Sequence, residues 1–358
     1  MPPVPSRQIH LDFHTSEHIP GVGSKFDKRQ WQKALKLGHV NLINIFGKGH
    51  HSWAYYPTQA GRMHPTLEFD LLGAQIEACH EIGVRCPVYF TVGWSVNDAE
   101  SHPEWCVRNV DGSFAVTRWD FNAAPDDPRP FGSWKYLCPS GDYLELMLAQ
   151  TIEICEGYEV DGFWYDICNT YPPCYCDTCR AGMAAEGIDA DAVADDDEAV
   201  FRYGVRKWKH FMEQTRSTVQ RYHPDAVLYY NGTTKLNTPN RNVEFKMYAH
   251  NTQHDLEDLP TTWGGYDKLP VRAKLFANTG TPMVAMSGKF HTSWGEFGGY
   301  KHPDALRYEA AAMIAYGVAC DFGDQLHPLG EMELDTYRNI GQAFQYVEQI
   351  EEYGIGGR

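Results

Sequence analysis

The chain has 358 residues, of which 43% are hydrophobic, 13% aromatic and 22% charged. This composition is typical of a globular protein with a sizeable core, and it excludes a disordered chain. Lys and Arg number 31 against 47 Asp and Glu, so the formal net charge is -16. Such a balance argues against a nucleic-acid partner and against docking on anionic lipid, because both require a basic patch.

Short runs of β-branched and aromatic residues alternate with amphipathic helical stretches along the chain. The predicted strands lie at residues 8–15, 40–46, 84–92, 160–167, 226–231, 244–250, 283–289 and 319–323. The predicted helices lie at residues 27–37, 71–82, 143–158, 199–222, 271–279, 304–316 and 334–352. Alternation predicts parallel strands, and eight units predict a closed (β/α)8 TIM barrel that spans residues 1–358 as one domain. An open doubly wound sheet is the alternative, but no glycine-rich phosphate turn follows the first strand.

Two predicted loops are long, and both lie on the side of the barrel where active sites form. Loop 95–140 follows the third strand, and loop 168–198 follows the fourth and ends in an acidic run. The sequence contains no stretch of about 18 apolar residues, so no membrane-spanning helix is predicted. The N-terminus lacks the apolar core of a signal peptide. We therefore expect a cytoplasmic protein with no membrane partner.

Polar and aromatic side chains stand at the ends of most predicted strands. In chain order they are His14, His50, His51, Trp94, Trp164, Asp166, His250, His291, Trp294, Glu296 and Asp324. Because the carboxyl ends of barrel strands meet at one mouth, we expect these side chains to converge. Aromatic faces stack on sugar rings, and His, Asp and Glu form hydrogen bonds with hydroxyl groups, so the pattern predicts a sugar-binding lining.

Asp166 ends the apolar run of the fourth strand, so its carboxylate is expected at the mouth. It suits the nucleophile of a glycosidase, whose oxocarbenium-like transition state needs an anion and a proton donor; a cap on the following loop is the alternative. Glu257, just beyond the predicted sixth strand, is the preferred donor and Glu296 is the rival. Both also fit roles as hydroxyl ligands or surface residues. Trp263 and Tyr266 are expected to keep Glu257 protonated at neutral pH.

Three cysteines, Cys174, Cys176 and Cys179, fall within six residues of the chain. Close thiolates predict a tetrahedral, structural Zn²⁺ site that needs a fourth ligand, for which Cys138, Cys168 and Cys106 are the candidates. A set of free thiols without metal is the alternative. An iron–sulfur cluster is not favoured, and no organic cofactor is expected.

The first half of the chain resembles the retaining α-L-fucosidases of glycoside hydrolase family 29. The matching residues are 26–31, 34–38, 47–52, 56–57 and 161–166. The resemblance implies that the paired His50 and His51 contact the fucose and that Asp166 is the nucleophile. One departure is visible, because Ser52 and Trp53 stand where the family has Asp-Gly, which bears on the sugar specificity more than on the fold.

The second half resembles a related barrel group that includes the α-L-fucosidases of family 151. The matching residues are 256–260, 263–267, 290–299 and 323–328. Relatives in this group often carry further C-terminal domains, whereas this chain stops at Arg358. The cysteine loop is similar to the zinc site of family 42 β-galactosidases, which have a Cys-Pro segment before a helix. That resemblance implies Cys138 as the fourth ligand.

Together these patterns predict a retaining exo-glycoside hydrolase, an α-L-fucosidase in the first place, acting on a glycoside or oligosaccharide. A β-galactosidase-like enzyme is the alternative within the class. A catalytically silent carbohydrate-binding barrel is an alternative of another class. A metal-dependent hydrolase that uses His14, His50 and His51 is less favoured, because the first strand lacks a His-x-His pair. A homo-oligomer remains open.

Overall fold

The structure is a computed structural model that describes residues 4–117, 134–192, 198–236 and 239–355. Its strands are β1 (Arg7–Asp12), β2 (Leu42–Lys48), β3 (Val88–Thr91), β4 (Gly162–Asp166), β5 (Val227–Tyr230), β6 (His254–Glu257), β7 (Met283–Gly288) and β8 (Ala319–Gln325). All paired strands run parallel, in the order β5-β4-β3-β2-β1-β8-β7-β6.

The two outer strands of this order, β5 and β6, meet through the residues that precede β6. The backbone amide of Thr252 donates to the carbonyl oxygen of Leu228 at 2.9 Å. The Thr252 hydroxyl accepts from the Leu228 amide at 2.7 Å, and the Asn251 side chain accepts from the Tyr230 amide at 3.2 Å. The sheet therefore curls into a nearly closed barrel, and the predicted (β/α)8 class is confirmed.

Helices cover the outside of the barrel. They are α1 (Lys28–Leu37), α2 (Leu71–His80), α3 (Val96–Ser101), α4 (Asp142–Gly157), α5 (Asp177–Ala185), α6 (Glu198–Tyr222), α7 (Lys268–Ala277), α8 (Pro303–Ala315) and α9 (Leu334–Gly354). The short α3 and α5 lie inside the two predicted long loops, of which residues 118–133 and 193–197 fall outside the described part. No described helix combines the length and the apolar character that crossing a bilayer requires.

Local sequence explains where the helices begin and which face they bury. The Asp27 carboxylate accepts from the backbone amide of Gln30 at 2.7 Å and so caps α1, which satisfies an amide that has no partner within the helix. Trp31, Ala34 and Leu35 then recur at helical spacing and are buried against the barrel. The same arrangement repeats around the barrel and builds the core between strands and helices.

The sixth strand lies later in the chain than predicted. Within the predicted range 244–250, Met247–His250 forms a 3-10 turn that packs beside α6, and Lys246 before it has a left-handed backbone with φ of 54°. That conformation cannot continue a strand. Residues 244–250 have the alternating apolar pattern of a strand. By contrast, β6 is mostly polar, because its inward side chains are carboxylates that lie inside the barrel. The described residues between β5 and β6 form no α-helix, so the predicted eight strand–helix pairs are incomplete at this point.

Two acidic side chains, Asp255 of β6 and Asp321 of β8, are buried inside the barrel. The indole nitrogen of Trp164 donates to Asp255 Oδ2 at 3.0 Å, whereas neither carboxylate oxygen of Asp321 has a hydrogen-bond partner among the described residues. Burial raises the pKa of Asp255 to about 7. Burial and the charge of Asp255 raise the pKa of Asp321 well above its ordinary value. The folded barrel therefore holds protons that the unfolded chain releases in mild acid.

Because these carboxyl groups bind protons more tightly in the folded chain, the free energy of unfolding should fall as the pH rises toward neutrality. Replacing Asp321 with Asn removes one titrating group. As the pH rises from about 5 to about 8, the free energy of unfolding of the Asp321→Asn variant should increase relative to that of wild type by at least about 1 kcal/mol. Urea unfolding at the two pH values measures this change. The matched variant Asp225→Asn, at an exposed position, should show no such trend, and an equal trend in both variants would contradict the assignment.

Candidate active site

A cavity of about 550 Å³ opens at the carboxyl ends of the strands. Its lining includes eight of the residues that the sequence predicted for the site: His14, His50, His51, Trp94, Trp164, Asp166, Glu257 and Trp294. Aromatic and apolar walls are completed by further residues, among them Phe13, Trp134, Trp263 and Phe297. Asp12, Tyr89, Asn231 and Lys235 add polar groups that sequence analysis did not single out.

Asp166 lies at the end of β4 and is buried among hydrogen-bond donors. It accepts from the Tyr89 hydroxyl, from Asn231 Nδ2 at 2.7 Å and from the backbone amide of Ile167 at 2.8 Å. Ile167 has a left-handed backbone with φ of 58°, a costly conformation for a β-branched residue, which is typical of functional sites. Burial raises the pKa of Asp166, the nearby Glu257 raises it too, and the Tyr89 and Asn231 hydrogen bonds offset only part of this rise.

Two stacked imidazoles stand beside Asp166. The rings of His14 and His50 lie parallel with centroids 3.9 Å apart. His14 Nδ1 accepts from the His50 amide at 2.9 Å, so its Nε2 donates to Asp12 at 2.9 Å. His50 Nε2 lies 3.5 Å from Asp166 Oδ2. Burial lowers the pKa of His50 well below its ordinary value and that of His51 to about 4, so both are neutral rings suited to binding hydroxyl groups near neutral pH.

Glu257 ends β6, and its carboxylate is held by three donors. Lys235 Nζ lies 3.2 Å from Oε2, Asn231 Nδ2 donates to Oε2 at 3.2 Å, and the Trp294 indole donates to Oε1 at 3.1 Å. Burial alone would raise the pKa of Glu257, but the charge of Lys235 and the hydrogen bonds from Lys235, Trp294 and Asn231 together lower it. The sequence-based expectation that apolar neighbours keep Glu257 protonated is therefore wrong for the free site.

One side-chain amide joins the two carboxylates. Asn231 Nδ2 bonds Asp166 Oδ1 at 2.7 Å and Glu257 Oε2 at 3.2 Å. Two oxygens that share one nitrogen partner at these distances lie within about 6 Å of each other, close to the about 5–5.5 Å between the carboxyl groups of retaining glycosidases. This upper limit is shorter than the about 6.5–9.5 Å of inverting glycosidases, so the pair fits the retaining arrangement better than the inverting one.

The remaining predicted site residues do not line this cavity. Glu296 accepts from the amides of His291 and Thr292 at 2.9 and 2.6 Å, so its carboxylate is used within its own loop. His291 is exposed and bonds the Tyr300 carbonyl oxygen. Asp324 is buried 3.3 Å from Lys289 Nζ. His250 lies in the 3-10 turn near α6, away from the described lining.

Strand parity explains which residues the sequence analysis missed and which it misplaced. Side chains alternate between the two faces of a strand, and Tyr89, Asp166 and Glu257 all occupy inward positions. Asp324 has the opposite parity from the inward Asp321, so it points toward the helices. Counting parity from the first inward residue would have found Tyr89, but nothing in the sequence marks the loop residue Lys235.

The loop after β7 is fastened by a buried ion pair. Lys301 Nζ lies 2.8 Å from Glu309 Oε1, and the two side chains are 0% and 2% exposed. Ser287 bonds both partners, at 2.9 Å to Lys301 and 2.7 Å to Glu309. The same loop carries Trp294 to Glu257, so this pair fixes a segment that forms one wall of the cavity.

The four cysteines predicted to bind metal lie together near the loop after β4. Cys138, Cys174, Cys176 and Cys179 are buried, and their sulfur atoms all lie within 4.8 Å of one another. Lys207 Nζ lies 3.3 Å from Cys138 Sγ and 3.6 Å from Cys179 Sγ, so a cation offsets the negative charge that thiolates would carry.

The other two candidates for the fourth ligand lie elsewhere. Cys106 Sγ contacts the Ala99 carbonyl oxygen, and Cys168 Sγ contacts that of Tyr165, both at 3.5 Å. All ten cysteines lie within the described residues, and none of them forms a disulfide. Four sulfur donors at these separations fit a tetrahedral metal site, in which about 2.3 Å bonds leave neighbouring sulfurs just under 4 Å apart.

Comparison with known proteins agrees with the site chemistry. Residues 27–167 match the family model described as "Hypothetical glycosyl hydrolase 6". The structure of α-L-fucosidase isoenzyme 2 from Paenibacillus thiaminolyticus is 40% identical, with a TM-score of 0.86 over 98% of this chain. The chain spans 50% of the length of that fucosidase. The search of curated proteins finds no match.

More distant structures share the fold. An α-L-fucosidase from Vibrio sp. strain EJY3 has 15% identity and a TM-score of 0.54, covering 94% of this chain and 47% of its own. The α-L-fucosidase AlfC from Lactobacillus casei has 14% identity and a TM-score of 0.51, covering 93% and 82%. None of these comparisons bears on the likeness of the cysteine loop to family 42, which stays a prediction. The resemblance to α-L-fucosidases that the sequence predicted is confirmed.

Proposed function

We propose that this chain is the catalytic barrel of a retaining, exo-acting α-L-fucosidase. The observation that carries the proposal is the Asn231 amide bonded to both Asp166 and Glu257 inside a sugar-sized cavity with aromatic walls. The 40% identity to the Paenibacillus α-L-fucosidase supports the choice of fucose as the sugar.

In the proposed reaction Asp166 attacks the anomeric carbon while the glycosidic C–O bond breaks. Glu257 gives its proton to the leaving oxygen, and a glycosyl ester of Asp166 results. Glu257, now a carboxylate, then takes a proton from water, whose oxygen attacks the anomeric carbon and releases Asp166. Two displacements return the sugar with its original configuration. His14, His50 and the aromatic walls serve the sugar hydroxyls and ring faces.

The free site is not yet arranged for proton donation by Glu257, because Lys235, Trp294 and Asn231 together lower the pKa of this carboxyl group. Lys235 is 33% exposed on a flexible side chain, so a bound sugar can displace its ammonium group from Glu257. Loss of that charge in a dry site raises the pKa of Glu257 toward that of a general acid.

The function is tested with 4-nitrophenyl glycosides. Wild-type protein should hydrolyse the α-L-fucoside in preference to the β-D-galactoside and release fucose first as the α-anomer, observed by NMR. Asp166→Asn should lose about 10³-fold or more in kcat, as nucleophile removal does elsewhere, while fucose still binds in calorimetry. Failure of the wild type to cleave any glycoside while sugars bind would favour a non-catalytic barrel. Wild-type turnover by the variant would make Asp166 structural.

Glu257→Gln should damage cleavage of poor leaving groups most, because proton donation matters most for them. We expect kcat/KM to fall about 10²-fold or more for a fucosyl disaccharide and far less for 2,4-dinitrophenyl fucoside. Azide should restore turnover of the activated substrate and give a fucosyl azide of retained configuration, since it needs no base.

The matched control is Glu296→Gln, at the other candidate carboxylate. Glu296 is committed to amides of its own loop, so its variant should show neither the leaving-group dependence nor the azide product. If only the Glu296 variant shows both, the acid/base role belongs to Glu296.

The cysteine cluster is proposed to hold one structural Zn²⁺. The support is the chemistry of the donor set: four buried, unlinked thiols close enough to share a tetrahedral ion, with Lys207 beside two of them. Four thiolates fill the coordination sphere and leave no position for a substrate, so the metal would stabilise the loops after β3 and β4 rather than take part in hydrolysis.

Elemental analysis of protein purified without chelator should find about one zinc per chain. Cys174→Ser should lose most of that zinc and melt at a lower temperature, because metal binding contributes folding free energy. Cys168→Ser, which changes a buried thiol outside the cluster, is the matched control and should keep its zinc. Metal-free wild-type protein, or equal loss of zinc in both variants, would reject the site.

A further inference from the structure

A second cavity opens beside the first. It has a volume of about 650 Å³ and is lined by Lys235, Leu236, Glu257, Asp258, Trp263, Asp267, Lys268, Val271 and Arg272. Three of these residues, Lys235, Glu257 and Trp263, line the first cavity as well. The two spaces therefore meet at the carboxylate proposed to protonate the leaving oxygen.

The position of Glu257 between the two cavities indicates which part of the substrate each cavity holds. The proton donor must reach the oxygen between the sugar and its leaving group, so the leaving group lies on the Glu257 side of the sugar. Asp166, the proposed nucleophile, lines only the first cavity. A fucosyl ring in the first cavity thus places its leaving group in the second.

The charges of the second cavity balance. Its three cationic side chains, Lys235, Lys268 and Arg272, face three carboxylates, Glu257, Asp258 and Asp267. Lys235 is paired with Glu257 at 3.2 Å, and Lys268 lies 3.5 Å from Asp258. Such a balanced lining offers many donors and acceptors without a net field, which favours an uncharged, hydroxyl-rich ligand over an anion.

Trp263 supplies the flat surface. Its side chain is half-buried, and Lys235 Nζ lies 5.9 Å from the centre of its ring. Trp263 follows the first turn after β6, where its amide donates to the Leu259 carbonyl oxygen at 2.7 Å. A partly exposed indole between two sugar-sized cavities is suited to stack on the CH-rich face of a pyranose.

We propose that the second cavity is the leaving-group subsite, that it takes a neutral saccharide, and that Trp263 is the residue on which this saccharide stacks. This inference rests on the proposed function, because the roles proposed for Asp166 and Glu257 decide which cavity holds the leaving group. Its volume lies within the about 300–1,000 Å³ of ligand pockets, so it accommodates at least one hexose.

The test compares two substrates that differ only in the leaving group: a neutral fucosyl disaccharide and α-L-fucosyl fluoride, whose fluoride needs no subsite. Trp263→Ala should lower the ratio of their kcat/KM values, disaccharide over fluoride, at least tenfold. Tyr308→Ala is the matched control, because Tyr308 is an exposed aromatic residue of α8 that lines a different cleft, and its ratio should stay at the wild-type value. A change of less than twofold for Trp263→Ala, or an equal change in both variants, would overturn the proposal.

A binding measurement separates failure of the subsite from failure of the proposed function. Lactose, a neutral disaccharide, should bind wild-type protein in calorimetry at least tenfold more tightly than it binds Trp263→Ala, whether or not fucosides are cleaved. A disaccharide that contains a uronic acid should bind no better than lactose. Absence of lactose binding, or clear preference for the uronic acid, would overturn the neutral-saccharide subsite. Lactose binding without cleavage of fucosides would keep the subsite and refute the fucosidase.

Discussion

Two buried carboxylates, Asp166 and Glu257, repel each other at the mouth of the barrel, and much of the site exists to hold them together. Their separation through Asn231 is so short that the charge of Glu257 raises the pKa of Asp166. In a low-dielectric site such repulsion is strong. Donors compensate it: Tyr89 and the Ile167 amide serve Asp166, whereas Lys235 and the Trp294 indole serve Glu257.

This requirement ties distant parts of the chain to one another. The loop after β5 must deliver an amide and an ammonium group, and the loop after β7 must deliver an indole. The buried Lys301–Glu309 pair anchors the second of them. Contacts outside the cavity therefore help to fix the positions of Asp166, Glu257 and their hydrogen-bond donors.

The barrel could be predicted because its signal is repeated. Eight apolar runs, separated by amphipathic helices, leave few other architectures, and an error in one run does not change the class. The sixth run is an apolar pattern that does not form a strand. Residues 244–250 alternate like a strand but pack beside α6, whereas His254–Glu257 looks polar and forms β6. Side chains that serve a buried site erase the apolar pattern by which a strand is recognised.

The site was predictable where chemistry and position coincided. Asp166 stands at the end of β4 with the inward parity, the His50–His51 pair follows the end of β2, and all three residues line the cavity. Asp324 also stands at a strand end, but it faces the helices and pairs with Lys289. Asn231 contacts both carboxylates, and Lys235 contacts Glu257. Glu257 lies 26 positions after Asn231 and 22 positions after Lys235 in the chain. The closed barrel brings these residues and the carboxylates together, so no local sequence pattern marks them.

The buried Lys301–Glu309 pair also bears on how the cavity of this protein could diversify. Breaking a buried ion pair by removing one partner costs about 3–5 kcal/mol, so these positions tolerate little change. Residues 295–300, which lie between Trp294 and Lys301, are partly or fully exposed, and their substitution leaves the anchor intact. Evolution, or a directed library, can therefore vary this wall of the cavity while the anchor preserves the hydrogen bond from Trp294 to Glu257. The shape of the cavity wall and the geometry of the carboxyl pair are separable in this loop.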